Sequence, residues 1–234
     1  MNKKTQKELL EIVKNNYEEI VDKYNETRKK HLMPLWGVLV NYCENIKEGS
    51  TVLDVGCGNG RLLEAFGDKH VDYLGVDSSN ELLEKAEENH PDKKFIYGDV
   101  LQLGNISQIN FDYIFSIAAF HHLPGKDLQI AALKQLKNKI SLNGEIVITV
   151  WNMWSQKKFR KLIWKYFLLK LLGKNKMDMG DILFDWKNNQ AEAISRRYYH
   201  AFIKIGLRRV AKKAGLKVKK IEKDKYNYYL TLGK

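Results

Sequence analysis

The sequence predicts an α/β fold, a seven-stranded and mostly parallel sheet with helices on both faces and an antiparallel terminal hairpin. Three observations predict it. Short apolar runs alternate with helical stretches from Thr51 to Val150, a glycine-rich turn follows the first of these runs, and two closely spaced strand-like runs end the chain. Alternation of strand and helix implies parallel pairing through crossover helices, whereas runs joined by a few residues pair antiparallel.

Each element has its own reason. Residues 6–45 read as helix, with Leu9, Ile12, Val13, Tyr17 and Ile20 on one face. Pro34 begins a second helix that carries Leu35, Trp36 and Leu39. Thr51–Val55, Tyr73–Val76, Lys94–Tyr97, Tyr113–Ile117 and Ile146–Val150 read as buried strands. Between them Asn59–Phe66, Ser79–Asn89 and Lys126–Lys139 space their apolar residues near 3.6, and Ser79 supplies a cap ahead of Leu82, Leu83 and Ala86. The stretch Asn152–Ser195 departs from this alternation and reads as an insertion. It holds an amphipathic basic helix near Ser155–Leu172, with Phe159, Leu162, Ile163 and Tyr166 on its apolar side. A helix from about Lys204 ends at Gly215, and strands Lys217–Glu222 and Tyr226–Leu232 follow. The expected organisation is one domain over 1–234: a helical extension (1–48), a ligand-binding core (49–151), an inserted basic cap (152–198), and a final helix and hairpin of the core (199–234).

Composition excludes several classes. The hydrophobic fraction of 44% and aromatic fraction of 11% are those of a globular chain. The longest apolar stretch, Leu162–Leu172, is broken by Lys165 and Lys170 and falls short of a membrane span. The first residues lack the apolar core of a signal peptide, so a cytoplasmic location is expected. Cys43 and Cys57 are the only cysteines, which argues against a disulfide framework and a structural zinc site. Of 40 Lys and Arg residues, 22 lie in 151–234 against 6 Asp and Glu there, so the whole excess of +12 sits in the last third. Two readings of this excess are open, a solvated lysine surface or a phosphate-binding face.

The strongest motif is Val52-Leu53-Asp54-Val55-Gly56-Cys57-Gly58-Asn59-Gly60, a strand running into a glycine-rich turn. Glycines at 56, 58 and 60 let the backbone approach a ligand closely, at the strand end where doubly wound sheets bind nucleotides. A nicotinamide fingerprint requires glycine at 61, which is Arg. Three further features fall in register. Asp77 ends the second strand, where a carboxylate accepts hydrogen bonds from ribose hydroxyls. Gly98-Asp99-Val100 follows the third strand, and Ile117-Ala118-Ala119-Phe120-His121-His122 follows the fourth.

The GxGxG spacing with these strand ends resembles the class I S-adenosylmethionine-dependent methyltransferases, which implies their seven-stranded Rossmann-like fold and S-adenosyl-L-methionine as cofactor. By that resemblance Asp54, Gly56, Cys57, Gly58, Gly60, Asp77, Ser78, Asp99, Val100, Ile117, Ala118 and His121 bind the cofactor. The tract Arg197-Tyr198-Tyr199-His200-Ala201-Phe202 is similar to the RYYHxF signature of the tRNA wobble-uridine methyltransferases, which esterify 5-carboxymethyluridine. Tyr24-Asn25-Glu26-Thr27-Arg28 ahead of Trp36 and the pair His121-His122 resemble the same family. Leu183-Phe184-Asp185-Trp186-Lys187 departs from its usual Val-Pro-Trp-like stretch.

The resemblance implies a tRNA anticodon stem-loop as substrate and a small zinc-binding activator protein as partner, without stable membrane insertion or a bound metal. Arg28 and Arg197 are then clamps for a carboxylate or phosphate, and His121, Tyr198 and His200 orient the base. Each has an alternative: the tyrosines as core aromatics, a histidine as a turn cap, Arg28 as the partner of a surface glutamate. A small-molecule or lipid and quinone methyltransferase with the same core is the second functional reading.

Overall fold

The structure, a computed structural model, describes residues 1–27, 36–187 and 193–234. Two helices, α1 (Lys3–Thr27) and α2 (Trp36–Glu44), precede the sheet. The sheet contains β1 (Thr51–Val55), β2 (Asp72–Asp77), β3 (Lys94–Tyr97), β4 (Phe111–Ile117) and β5 (Ile140–Trp151). Helix α3 (Asn80–Asn89) joins β2 to β3, and α4 (Lys126–Lys139) joins β4 to β5. After an excursion holding α5 (Lys157–Leu171), β6 (Asp181–Lys187) and β7 (Ala193–His200), the chain returns through α6 (Lys204–Lys213) to β8 (Lys217–Lys223) and β9 (Asn227–Gly233).

The strand order is β3-β2-β1-β4-β5-β9-β8. Strands β1 to β5 pair in parallel, and β9 enters antiparallel between β5 and β8, with Val150 opposite Tyr228. This is the expected seven-stranded α/β architecture with its antiparallel terminal hairpin. Side chains alternate across the sheet, and both faces are covered. Leu53, Leu74, Ile114 and Ile148 pack with Leu133 and Leu136 of α4 and Leu207 and Val210 of α6. Val52, Tyr73, Phe115 and Val147 pack with Leu39 and Cys43 of α2 and Leu83 and Ala86 of α3. Each fully buried leucine or isoleucine of this kind contributes about 2 kcal/mol.

Two elements differ from the sequence reading. The expected helix Asn59–Phe66 is a short 3-10 helix over Arg61–Phe66, entered through Gly60 in a left-handed conformation (φ 77°). The excursion contains an antiparallel pair, β6 with β7, where the sequence pattern indicated only a helix. Both faces of this hairpin are covered, so its polar–apolar alternation is weak. Ile182, Phe184 and Tyr199 pack under Phe159 and Ile163 of α5, while Leu183 and Tyr198 meet Leu9, Ile12 and Val13 of α1. The expected cap boundary at residue 198 therefore falls inside β7. Ser79 caps α3 as expected, its Oγ accepting from the Leu82 amide at 3.3 Å. Pro34 and Leu35 lie outside the described residues. Among the described residues no helix is long and apolar enough to cross a membrane, and no cluster of His, Cys, Asp and Glu is arranged to hold a metal ion.

Candidate cofactor and substrate site

A cleft of about 340 Å³ opens at the carboxyl ends of β1, β2, β3 and β4. Sheet topology puts it there: the connections from β1 and β4 leave toward opposite faces, and a crevice remains between them. Its floor is the turn after β1. Gly56 has φ 78°, and a Cβ on it would lie 2.6 Å from Ala119 Cβ, so only glycine fits. Asp77 organises this turn. Its Oδ2 accepts from the Gly58 amide at 2.7 Å and its Oδ1 from the Ser79 amide at 3.0 Å. Burial pushes the Asp77 carboxyl up, and the amides of Gly58, Ser79 and Ser78 oppose that shift.

Of the residues expected from sequence, Gly56, Gly58, Asp77, Ser78, Asp99, Val100, Ile117 and Ala118 line the cleft. Ala118 holds φ 55°, an unusual backbone for a residue with a side chain, and its amide bonds to Thr149. Asp99 sits at the mouth, its Oδ1 accepting from the Leu101 amide at 2.8 Å.

Asp54, Cys57, Gly60 and His121 do not line it. Asp54 is buried beneath the turn, where its Oδ2 accepts from the Tyr73 hydroxyl at 2.9 Å. Its Oδ1 has no hydrogen-bond partner among the described residues. The Cys57 sulfur packs toward Gly75, and burial pushes its thiol well up. A Cβ on Gly60 would meet His90 and Phe95. These three residues support the turn from beneath, outside the cleft. His121 is buried, with its Nδ1 3.4 Å from the Trp151 amide and its ring stacked on Tyr199 at 4.7 Å.

The neighbouring His122 takes the place in the cleft wall. Its Nδ1 lies 3.2 Å from the Tyr198 carbonyl, which only accepts, so in the neutral ring Nδ1 donates. Its Nε2 then accepts from the Tyr17 hydroxyl at 2.8 Å. Tyr17, with Lys7, Leu10 and Lys14, brings α1 across the cleft as a roof. The sequence showed Tyr17 only as part of an apolar helical stripe. That this stripe roofs the cleft, with Tyr17 reaching His122 105 positions along the chain, is a tertiary fact.

The RYYHAF tract lies beside the cleft and does not line it. Tyr198 is fully buried against Leu9 and Met177, and donates its hydroxyl to Asp181 Oδ1 at 2.8 Å. His200 Nδ1 is 2.6 Å from the same oxygen. Asp181 is itself buried, and its Oδ2 accepts from the Asp178 amide at 2.8 Å. Strand alternation sends Arg197 and Tyr199 to the other face. There Tyr199 stacks on Trp151 at 5.0 Å and on Phe184 at 5.3 Å, and Arg197 is buried. Arg28 lies outside the described residues.

The buried Asp54 gives the protein a pH signature. Burial pushes its carboxyl up to about 7. An aspartate raised on folding binds its proton more tightly in the folded state. Its stabilising contribution is therefore complete below the ordinary value near 4 and is lost as pH rises through about 7. Asp54→Asn should flatten the fall in unfolding free energy between pH 5 and 8 by ~2 kcal/mol or more. Equal slopes for both proteins in urea titrations would show that Asp54 ionises normally.

The donor set identifies the ligand class. Asp77 and Asp99 present carboxylates, which accept from a ribose diol and an exocyclic amine and repel a pyrophosphate. Val100, Leu82 and Ile117 offer apolar contact for a flat ring. These residues fit an adenosine joined to a cationic amino-acid end. A family profile described as a methyltransferase domain matches residues 52–144. The tRNA (carboxymethyluridine(34)-5-O)-methyltransferase of Saccharomyces cerevisiae is 29% identical over 60% of this chain, which spans about half (48%) of that relative's length. The Schizosaccharomyces pombe protein of the same description is 24% identical over 94% of this chain and 95% of its own. A crystal structure of an S-adenosylmethionine-dependent methyltransferase from Methanosarcina mazei shares the fold, with a TM-score of 0.68 at 15% identity over 86% of this chain and 99% of that one.

Proposed function

We propose that this chain, an S-adenosylmethionine-dependent methyltransferase, esterifies the carboxymethyl group of a wobble uridine in tRNA, a reading that its likeness to the tRNA (carboxymethyluridine(34)-5-O)-methyltransferases supports. One observation carries the substrate reading. The Arg197–His200 tract, which resembles that family's signature, is built against the wall of the cofactor cleft, with the Tyr198 carbonyl bonded to His122.

The cofactor is S-adenosylmethionine, and it supplies an electrophilic sulfonium methyl whose transfer to a carboxylate oxygen forms an ester with no proton to remove. A carboxylate is already ionised near pH 7, so this chain's residues need only bind, orient and exclude water. Asp77 and Asp99 would hold the adenosine end, and the side-chain-free backbone at Gly56 and Gly58 would let the amino-acid end approach the turn closely. The roof formed by α1 excludes water over it. His122, locked by Tyr17 and the Tyr198 carbonyl, presents a fixed wall against which the uridine is oriented. The family resemblance assigns Arg28 and Arg197 to the carboxylate or an adjoining phosphate, with Arg197 buried beside the cleft.

The test is methyl transfer from labelled S-adenosylmethionine into tRNA lacking the final ester, with nucleosides identified by mass spectrometry. Label appearing as a methyl ester on a wobble uridine is the expected result. A small zinc-binding activator is included in a parallel reaction, because this family reading carries that partner with it. If no RNA is labelled in either reaction while the cofactor binds, the reading falls and a small-molecule or lipid substrate replaces it. Arg197→Ala should lower RNA methylation at least tenfold while cofactor affinity is retained. Equal loss of both would remove its substrate role.

A further inference from the structure

Helix α5 turns one face to the hairpin and leaves the other to solvent. Phe159 and Ile163 are buried, and Tyr166 donates its hydroxyl to the Leu183 carbonyl at 3.1 Å. The opposite face forms a shallow groove lined by Lys157, Arg160, Lys161, Trp164 and Lys165, with Leu168, Leu169 and Leu172 at its far end. Arg160 bonds to the carbonyls of Trp154 and Ser155 at 3.2 Å and closes the amino-terminal turn. Among the described residues no carboxylate pairs with Lys157, Lys161 or Lys165, and residues 151–176 contain no Asp or Glu.

Trp164 stands among these lysines with 55% of its surface exposed. Its ring meets Trp154 and Phe167 edge to face, at 6.5 Å and 5.5 Å. Edge contacts on two sides fix the indole while leaving much of its surface open to a stacked ring. Single-stranded nucleic acid is held by this combination, cations along the backbone and a rigid aromatic on which a base stacks. The helix also begins six residues after Trp151, at the carboxyl end of β5, the same end of the sheet at which the cofactor cleft opens.

We propose that the outer face of α5 is the docking surface for the RNA substrate, with Trp164 stacking on an unpaired base and Lys157, Lys161 and Lys165 on neighbouring phosphates. This inference rests on the tRNA reading above and assigns that substrate its place on the fold. An anionic membrane is the other surface that cations and apolar side chains attract. It fits less well, because Lys157, Arg160, Lys161 and Lys165 surround Trp164 along the amino-terminal part of the face, and the exposed Leu168, Leu171 and Leu172 are confined to the end of the helix.

The experiment measures binding of a fluorescent anticodon stem-loop RNA by the full chain, separately from methyl transfer. Trp164→Ala should weaken binding about tenfold. Lys157→Glu/Lys161→Glu/Lys165→Glu should weaken it about a hundredfold at ~0.1 M salt and flatten its salt dependence. Cofactor affinity should be unchanged in both, which confirms that they fold. RNA affinity equal to that of the unsubstituted chain in both variants would overturn the proposal. So would loss of binding to phosphatidylserine vesicles with RNA binding intact, which would assign the face to a membrane. Because the unsubstituted chain's methylation of tRNA is scored separately, failure of the docking surface is distinguishable from failure of the substrate reading.

Discussion

Asp77→Ala should abolish measurable cofactor binding. The carboxylate holds the glycine turn through the Gly58 amide and the loop into α3 through the Ser79 amide, and it lines the cleft, where it would receive the ribose diol of the proposed cofactor site. Removing it leaves two backbone donors and the ligand hydroxyls without their acceptor. Hydrogen bonds to a charged group contribute about 1.5–3 kcal/mol each, so losing the ligand's share alone weakens binding by about a hundredfold. Isothermal titration with S-adenosylmethionine reads this directly, and Asp77→Asn should fall between the two because it keeps one acceptor. Unchanged affinity in Asp77→Ala would mean that the cofactor lies elsewhere, and would overturn the assignment of the cleft.

The second large effect concerns stability. Asp181→Ala should destabilise the chain by ~3 kcal/mol, lowering the melting temperature by about 10 °C. Its carboxylate is buried and receives the Tyr198 hydroxyl, His200 Nδ1 and the Asp178 amide. Without it, a fully buried phenol and a largely buried imidazole keep their desolvation cost and lose their partner. Tyr198 and His200 read from sequence as groups that orient the substrate. Their joint attachment to Asp181 ties β7 to β6 and carries the Tyr198 carbonyl to His122 in the cleft wall. Thermal unfolding followed by circular dichroism measures the loss. A melting temperature unchanged in Asp181→Ala, together with a fall in turnover, would return both residues to a direct role with substrate.

These two carboxylates mark how far the sequence reaches. Asp77 was legible because its function depends on local order: a strand end, a fixed distance from a glycine turn, and a capped helix just after it. The same holds for Gly56, Gly58, Asp99 and Val100, which the backbone delivers to one crevice once the strands pair in parallel. Asp181 carried no such signal. It lies in a stretch whose alternation is blurred because α1 and α5 cover both sides of the hairpin.

His121 and His122 show the limit within a single motif. The doublet was visible, yet which ring enters the cleft depends on the turn after β4 and on what receives the other. His121 is drawn into the stack of Tyr199 and Trp151, and His122 is left to Tyr17.

The sequence by itself determined the sheet, its order of local crossovers, the terminal hairpin and the class of ligand. All of these follow from periodicity and from residues at strand ends, which are short-range properties. Only the tertiary structure decided that α1 roofs the cleft, that the tyrosine tract braces a buried aspartate, and that α5 turns its lysines and Trp164 outward. The first of these rests on contacts between residues 105 positions apart, Tyr17 with His122, and the tract reaches the cleft wall across 76, from Tyr198 to His122. The chain order carries no record of such contacts, because they are selected by the packing of whole elements against one another.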